Sequence, residues 1–155
     1  MPDCPNVPLS GVIYGVPILE TDAEISAFLP TLKTIAVLGI KTAETGAPAY
    51  YVPAHAKRSG IRVIPVPVYY PEITEILGEP VYRKLADIPD PIDAVVVFRK
   101  PSDIPAHVAD ILAAKPRAVW MQLGIRNEPV ARQLSDAGMI VVQDRCLMVE
   151  LENRA

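Results

Sequence analysis

The sequence predicts an α/β fold: a doubly wound, mainly parallel, five-stranded Rossmann-like sheet with helices on both faces, layered α/β/α. Two observations predict it. Thr34-Ile35-Ala36-Val37-Leu38 and the four later strand-like runs are continuously apolar where a half-exposed strand would alternate, and unbroken apolar character is what a strand covered on both faces requires. The runs are also separated by helix-length segments, the connection that parallel neighbours need. In open sheets of this kind ligands bind beyond the carboxyl ends of the strands, near the point where strand order reverses. The residues to watch therefore follow Gly39, Val66, Phe98 and Gln122.

In chain order, residues 1–20 hold four prolines and no helical period, so they read as an extended N-terminal arm with a short strand at Val12-Ile13-Tyr14. A single domain over residues 21–155 follows. Thr21 is a helix N-cap and Glu24 completes a capping box; Ile25, Phe28, Leu29 and Leu32 recur at helical spacing and face the sheet. After the strand ending at Gly39, a small polar loop leads to a helix from Pro48 to Ser59. Pro53 inside it removes a backbone donor and predicts a kink or a short first helical turn, and Gly60 predicts a C-cap. The second strand is Ile61–Val66. The excursion from Pro67 to Pro91 predicts a short helix near Glu72–Ile76, a turn at Gly78 and an irregular connection at Leu85–Pro89. Asp93–Phe98 is the third strand. A helix capped by Ser102 then buries Ile104, Val108, Ile111 and Leu112, and Arg117–Gln122 is the fourth strand. A helix from Asn127 carries Val130, Ala131 and Leu134 inward and stops at Gly138, before the last strand at Met139–Gln143.

Composition narrows the function. At 155 residues the chain is the size of one domain, and any activity must fit on one sheet. A net charge of −3 with dispersed charges argues against tracking a nucleic-acid backbone. No apolar run is long enough to span a membrane and the N-terminus lacks a signal-peptide pattern, so a soluble, cytoplasmic protein is expected. Cys4 and Cys146 have neither CxxC spacing nor a histidine cluster, which speaks against zinc and against a disulfide framework. His55 and His107 have no nucleophile at a recognisable spacing, so no catalytic residue and no metal ligand is assigned.

Known phosphate loops fit poorly. A dinucleotide fingerprint needs three glycines in the first turn and a carboxylate ending the second strand; here Gly39 and Gly46 stand alone and Val66-Pro67-Val68 carries no acid. A Walker loop fails because Ala47-Pro48 follow Gly46. What remains is a loop with Lys41, Thr42 and Thr45 beside a helix N-terminus, whose free N–H groups favour anions.

Several segments together carry a resemblance. They are Lys33–Gly39, Gly60–Val66, Leu77–Tyr82 with Leu85–Pro89, Val97-Phe98-Arg99, Val119–Gly124 and Asp144-Arg145-Cys146-Leu147. In order and spacing, over roughly residues 22–150, the chain resembles the small single-domain CoA-binding proteins of Rossmann type, relatives of the CoA-binding domain of succinyl-CoA synthetase alpha chains. The resemblance implies a small-molecule nucleotide ligand, coenzyme A or an acyl-CoA, bound without catalysis. Two alternatives stay open: an interaction protein with a degenerate pocket, and a subunit lending a CoA-binding domain to an acyl-CoA synthetase completed by another chain. A homo-oligomer or a protein partner is compatible with each.

With the strand-end placement, the resemblance implies these ligand contacts: Gly39, Ile40, Lys41 and Thr42 after the first strand; Ala49 and Tyr50 at the start of the next helix; Val66 and Pro67 after the second strand; Phe98, Arg99, Lys100 and Ile104 after the third; and Gln122 after the fourth. The chain departs from the family pattern at Lys41 and Ala47, where a serine and an arginine are usual, and at Pro67-Val68, where Asn-Pro is usual. For Arg99 the competing role is an ion pair with Asp103 or Asp87. Trp120 and Met121 are expected in the core. Cys146 would form a mixed disulfide with CoA only as a thiolate, and it is expected to be inert.

Overall fold

The computed structural model describes residues 18–153. The elements are β1 (Ile18–Leu19), α1 (Asp22–Phe28), β2 (Thr34–Leu38), α2 (Pro48–Arg58), β3 (Arg62–Val66), β4 (Glu75–Ile76), β5 (Glu79–Pro80), β6 (Ala94–Val97), α3 (Val108–Ala114), β7 (Ala118–Met121), α4 (Glu128–Asp136), β8 (Ile140–Val142) and α5 (Leu147–Asn153). The main sheet runs β1-β8-β7-β6-β2-β3, and every pairing in it is parallel. β3 lies on one side of β2 and β6 on the other, so strand order reverses between β2 and β6.

Side chains alternate along each strand between two cores. Ile35, Val37, Val63, Val96 and Trp120 pack with Ile25, Phe28, Val52 and Leu147, beneath α1, α2 and α5. Ala36, Leu38, Ile64, Val97 and Met121 pack with Ile104, Val108, Ile111, Val130 and Leu134, beneath α3 and α4. The three-layer architecture thus follows from strands that are apolar on both faces. Trp120 is fully buried, stacks 6.5 Å from the Phe28 ring, and its indole N–H donates to the Arg145 carbonyl, so it is a core residue as expected.

Local signals account for most boundaries. Thr21 and Glu24 form the capping box. α2 and α4 both stop at glycines with positive φ, Gly60 and Gly138. The N–H of the next residue, Ile61 or Met139, reaches back to Ala56 or Leu134, closing the wide C-terminal turn that a left-handed residue permits.

Three expectations need correction. The sheet has six strands, because Ile18-Leu19, at the end of the segment read as an arm, pairs with Val141-Val142; two residues give too short a run to read from sequence. The helix expected near Glu72–Ile76 is instead the first strand of the β4–β5 hairpin, turned by Leu77 and Gly78, both at positive φ. The connection before α3 is a 3-10 turn over Pro101–His107 that begins at Lys100, not an α-helix capped by Ser102; Pro105 lacks the donor an α-helix would need there. Pro53 lies inside one continuous helix, Pro48–Arg58. The strand expected at Val12-Ile13-Tyr14 lies outside the described residues, and α5 has no counterpart in the sequence reading.

Candidate functional site

At the carboxyl ends of β2, β6 and β7 the exit loops surround a cleft of about 480 Å³. It sits where strand order reverses. Gly39 allows the two innermost exits to converge: its φ is +88°, and a Cβ there would collide with the Phe98 carbonyl oxygen. Only glycine meets both conditions without strain.

The loop after β2 is held by a consequence of Pro53. Proline has no N–H, so the Ala49 carbonyl four residues earlier loses its helical donor. It accepts instead from the Lys41 N–H at 3.1 Å. The interior proline thereby fastens the loop to α2 without breaking the helix. Thr45 is spent within the loop: its hydroxyl donates to the Thr42 carbonyl at 2.7 Å and accepts from the Ala47 N–H at 3.2 Å. α2 then begins with Ala47 as N-cap and no side-chain cap; Pro48 brings no N–H and the Tyr50 N–H turns back to the Ala47 carbonyl at 2.9 Å, so the Ala49 N–H is the donor of the first turn left for an anion.

The loop after β6 supplies the cations. Arg99 has a side chain only 16% exposed, with its Nη2 3.5 Å from Asp103 Oδ2 and its guanidinium 5.8 Å from the Tyr69 ring centroid. Its Nε is buried with no hydrogen-bond partner. A buried donor left unpaired is costly, and it is the group an incoming acceptor would satisfy. Arg99 also acts on His107: burial first, then the guanidinium, hold that imidazole below its ordinary 6.5, against the pull of Asp110 and Asp103.

The loop after β7 is clipped to the segment after β8. The Gly124 N–H donates to Asp144 at 2.6 Å, and the Asp144 N–H to the Ile125 carbonyl at 3.1 Å. Gln122 is 3% exposed, and its Oε1 accepts from the Leu147 N–H at 3.0 Å. Arg145 turns away from the cleft, to Asp22 at 2.7 Å and Glu150 at 3.3 Å. This clip brings Cys146 to the cleft wall. No signal in the linear sequence linked Cys146 to Lys41; the two lie 105 positions apart and meet only through the sheet.

Of the residues named from sequence, Lys41, Ala49, Phe98, Arg99, Lys100 and Gln122 line this cleft. Thr42 and Tyr50 line a separate hollow against the β4–β5 hairpin, with Ile73 and Leu77. Gly39 shapes the cleft from behind. Ile40 and Ile104 are buried in the two cores, and Val66 and Pro67 are buried at the end of β3. Tyr51, Leu123, Ile125 and Cys146 are also in the wall and were not named as contacts from sequence. The lining thus combines cations, Lys41, Arg99 and Lys100, with apolar side chains, Tyr51, Val52, Leu123 and Ile125. Among the described residues no group of three or more histidine, cysteine or acidic side chains could hold a metal ion, and no helix is long and apolar enough to cross a membrane.

Comparison with known proteins gives consistent matches. The profile of a family described as "CoA binding domain" matches residues 33–152. The chain is 32% identical over 127 residues to YneT of Bacillus subtilis, an uncharacterized protein, covering 82% of this chain and 91% of that one. A Thermus thermophilus structure, cell-free ID.343, is 40% identical, with a TM-score of 0.79, covering 88% of this chain and all (100%) of that one. The dinucleotide-forming acetyl-coenzyme A synthetase 1 of Ca. Korarchaeum cryptofilum shares the fold at a TM-score of 0.57 and 20% identity, with the match covering 70% of this chain and 25% of the synthetase.

Proposed function

We propose that this chain, which belongs to the CoA binding domain family, binds coenzyme A or an acyl-CoA in the cleft at the carboxyl ends of β2, β6 and β7. One observation carries the reading. The buried, unpartnered Nε of Arg99 shares a cleft with Lys41 and with the first turn of α2, and the same cleft is lined by the apolar Tyr51, Val52, Leu123 and Ile125. That combination suits a ligand with phosphates at one end and an apolar-lined arm at the other. Arg99 donates to a phosphate oxygen, Lys41 adds charge, and the Ala49 N–H at the start of α2 completes the anion contacts. Nicotinamide dinucleotides fit less well, because no carboxylate ends β3 to hold ribose hydroxyls.

The test is thermal unfolding with CoA, acetyl-CoA and NAD at equal concentration. A ligand that binds only the folded chain raises Tm by mass action. CoA or acetyl-CoA is expected to raise it and NAD to leave it near the unliganded value; the opposite result ends this reading. Native mass spectrometry of the purified protein adds an independent check, since a retained ligand reports its own mass.

A further inference from the structure

We propose that Cys146 is a thiol-exchange site for the ligand's own sulfur: presented with coenzyme A disulfide, Cys146 takes one CoA into a mixed disulfide held in the cleft. The proposal rests on the reading of the cleft as a CoA site. Cys146 is a free, half-buried thiol on the wall of the cleft that also contains Lys41 and Arg99. Adjacent strands lie about 4.8 Å apart, so the three steps from β2 across β6 and β7 to β8 cover roughly 14 Å at that spacing. An extended pantetheine arm, anchored by its pyrophosphate beside Lys41 and Arg99, reaches across that span with its sulfur.

A second observation points to the same occupant. Gln122 is 3% exposed and lines the cleft next to Cys146. Its Oε1 is engaged by the Leu147 N–H, whereas its amide nitrogen has no hydrogen-bond partner among the described residues. That nitrogen, unlike the Arg99 Nε, is not closed off from solvent, so it can donate to the amide carbonyls that the pantetheine arm offers along its length. Gln122 thus holds the arm while Leu123 and Ile125 wall its methylene groups, directing the sulfur toward Cys146.

The step balances without an added oxidant. The Cys146 thiol loses its proton; the thiolate attacks one sulfur of coenzyme A disulfide; the disulfide of the reagent breaks as the Cys146–CoA bond forms. The departing CoA thiolate takes up a proton and leaves as the thiol. Excess small thiol reverses the reaction.

The test uses the full chain. Calorimetric titration with CoA under reductant reads non-covalent binding. The protein without reductant is then exposed to coenzyme A disulfide or to oxidised glutathione at equal concentration, followed by intact mass and peptide mapping. An arm already anchored in the cleft raises the local concentration of its sulfur, so the CoA adduct is expected at Cys146 at least about tenfold faster than the glutathione adduct. Desulfo-CoA is expected to slow it, Cys146→Ser to abolish it and Cys4→Ser to leave it unchanged; mapping on the wild-type chain assigns the site if Cys146→Ser folds poorly. If CoA binds in the titration but Cys146 reacts equally with both disulfides, or the adduct maps to Cys4, this proposal falls and the binding reading stands. If CoA neither binds nor reacts preferentially, both fall.

Discussion

At the amino end of the sheet Asp93 accepts from the Lys33 and Thr34 N–H groups at 2.8 and 2.9 Å and pairs with Arg117 at 3.6 Å. Arg62 pairs there with Asp90 at 2.7 Å and Glu79 at 3.5 Å. At the carboxyl end, 4–5 residues away along the same strands, the Arg99 Nε has no partner and none of the ion pairs among the described residues uses Lys41 or Lys100. The two ends divide the labour. One closes its polar groups on one another and holds the strands in register; the other leaves donors open around a cleft, which is where an α/β sheet binds ligands.

The sharpest way to break that division is at Gly39, the one carboxyl-end residue that both builds and stabilises. Gly39→Ala adds a methyl group against the Phe98 carbonyl at a φ of +88°. Strain and clash together are expected to remove about 3 kcal/mol or more of stability, read as a fall in the urea midpoint. Gly124→Ala is the control: its φ is +83°, but nothing lies within 4 Å of the added carbon, so the expected loss is about 1 kcal/mol. Equal losses would show that backbone strain alone, without the crossing of the β2 and β6 exits, sets the effect.

Next in size is the amino end. Asp93→Ala leaves two backbone donors and Arg117 without their carboxylate and is expected to destabilise by about 2 kcal/mol, with CoA affinity of the remaining folded protein unchanged. Burial pushes the Asp93 carboxyl up, but the Thr34 and Lys33 N–H groups and Arg117 outweigh it and hold it below the ordinary 3.8. Its contribution is therefore fully present above that value and is lost as pH falls through the lower folded-state value. The stability gap between wild type and Asp93→Asn should narrow below about pH 3.9 and stay constant above pH 6. A gap that narrows toward alkaline pH instead would contradict the assignment.

How much of this contrast could be read from the sequence depends on the range of the forces involved. The apolar runs, the Thr21–Glu24 capping box and the glycine stops at 60 and 138 act locally, so the three layers and most helix ends were legible. Lys41, Arg99 and Gln122 were legible as strand-end residues for the same reason. Tyr51, Leu123 and Cys146 were not, because the cleft assembles from loops distant in sequence that the parallel topology collects at one edge. The unbroken helix across Pro53 was not legible for a related reason: the carbonyl that proline frees is satisfied by Lys41, from outside the helix, and no helical pattern carries that information. Two-residue strands such as Ile18-Leu19 and Glu75-Ile76 fall below any periodic signal.

At the carboxyl end Arg99→Ala is expected to weaken CoA binding about tenfold, since a charge-assisted hydrogen bond contributes about 1.5 kcal/mol at the low end of its range. Stability should change little, because its ion-pair partner Asp103 is 42% exposed and 3.5 Å away. The substitution also removes the cation that helps hold His107 low, so the His107 imidazole should titrate at a higher pH in the variant by NMR. A Tm drop as large as that of Asp93→Ala would mean that Arg99 belongs to the scaffold and not to the cleft.

The smallest effect is expected at Lys41. Its backbone N–H is what anchors the loop, to the Ala49 carbonyl at 3.1 Å, and Lys41→Ala keeps that bond. Only the ammonium is lost, and it is partly exposed, so water screens much of its attraction for a phosphate. A solvent-exposed pair of this kind contributes about 1 kcal/mol or less, equivalent to roughly a fivefold loss of affinity at 1.4 kcal/mol per decade. Dephospho-CoA separates the two cations. If Lys41 meets the 3′-phosphate, the variant and the wild type should bind dephospho-CoA equally, while Arg99→Ala remains weaker than wild type for both ligands. If Lys41→Ala loses the same factor with CoA and dephospho-CoA, its ammonium faces the pyrophosphate, beside the open first turn of α2. Raising the salt concentration should shrink the Lys41 effect more than the Arg99 effect, because the side chain buried in the cleft is the less screened of the two.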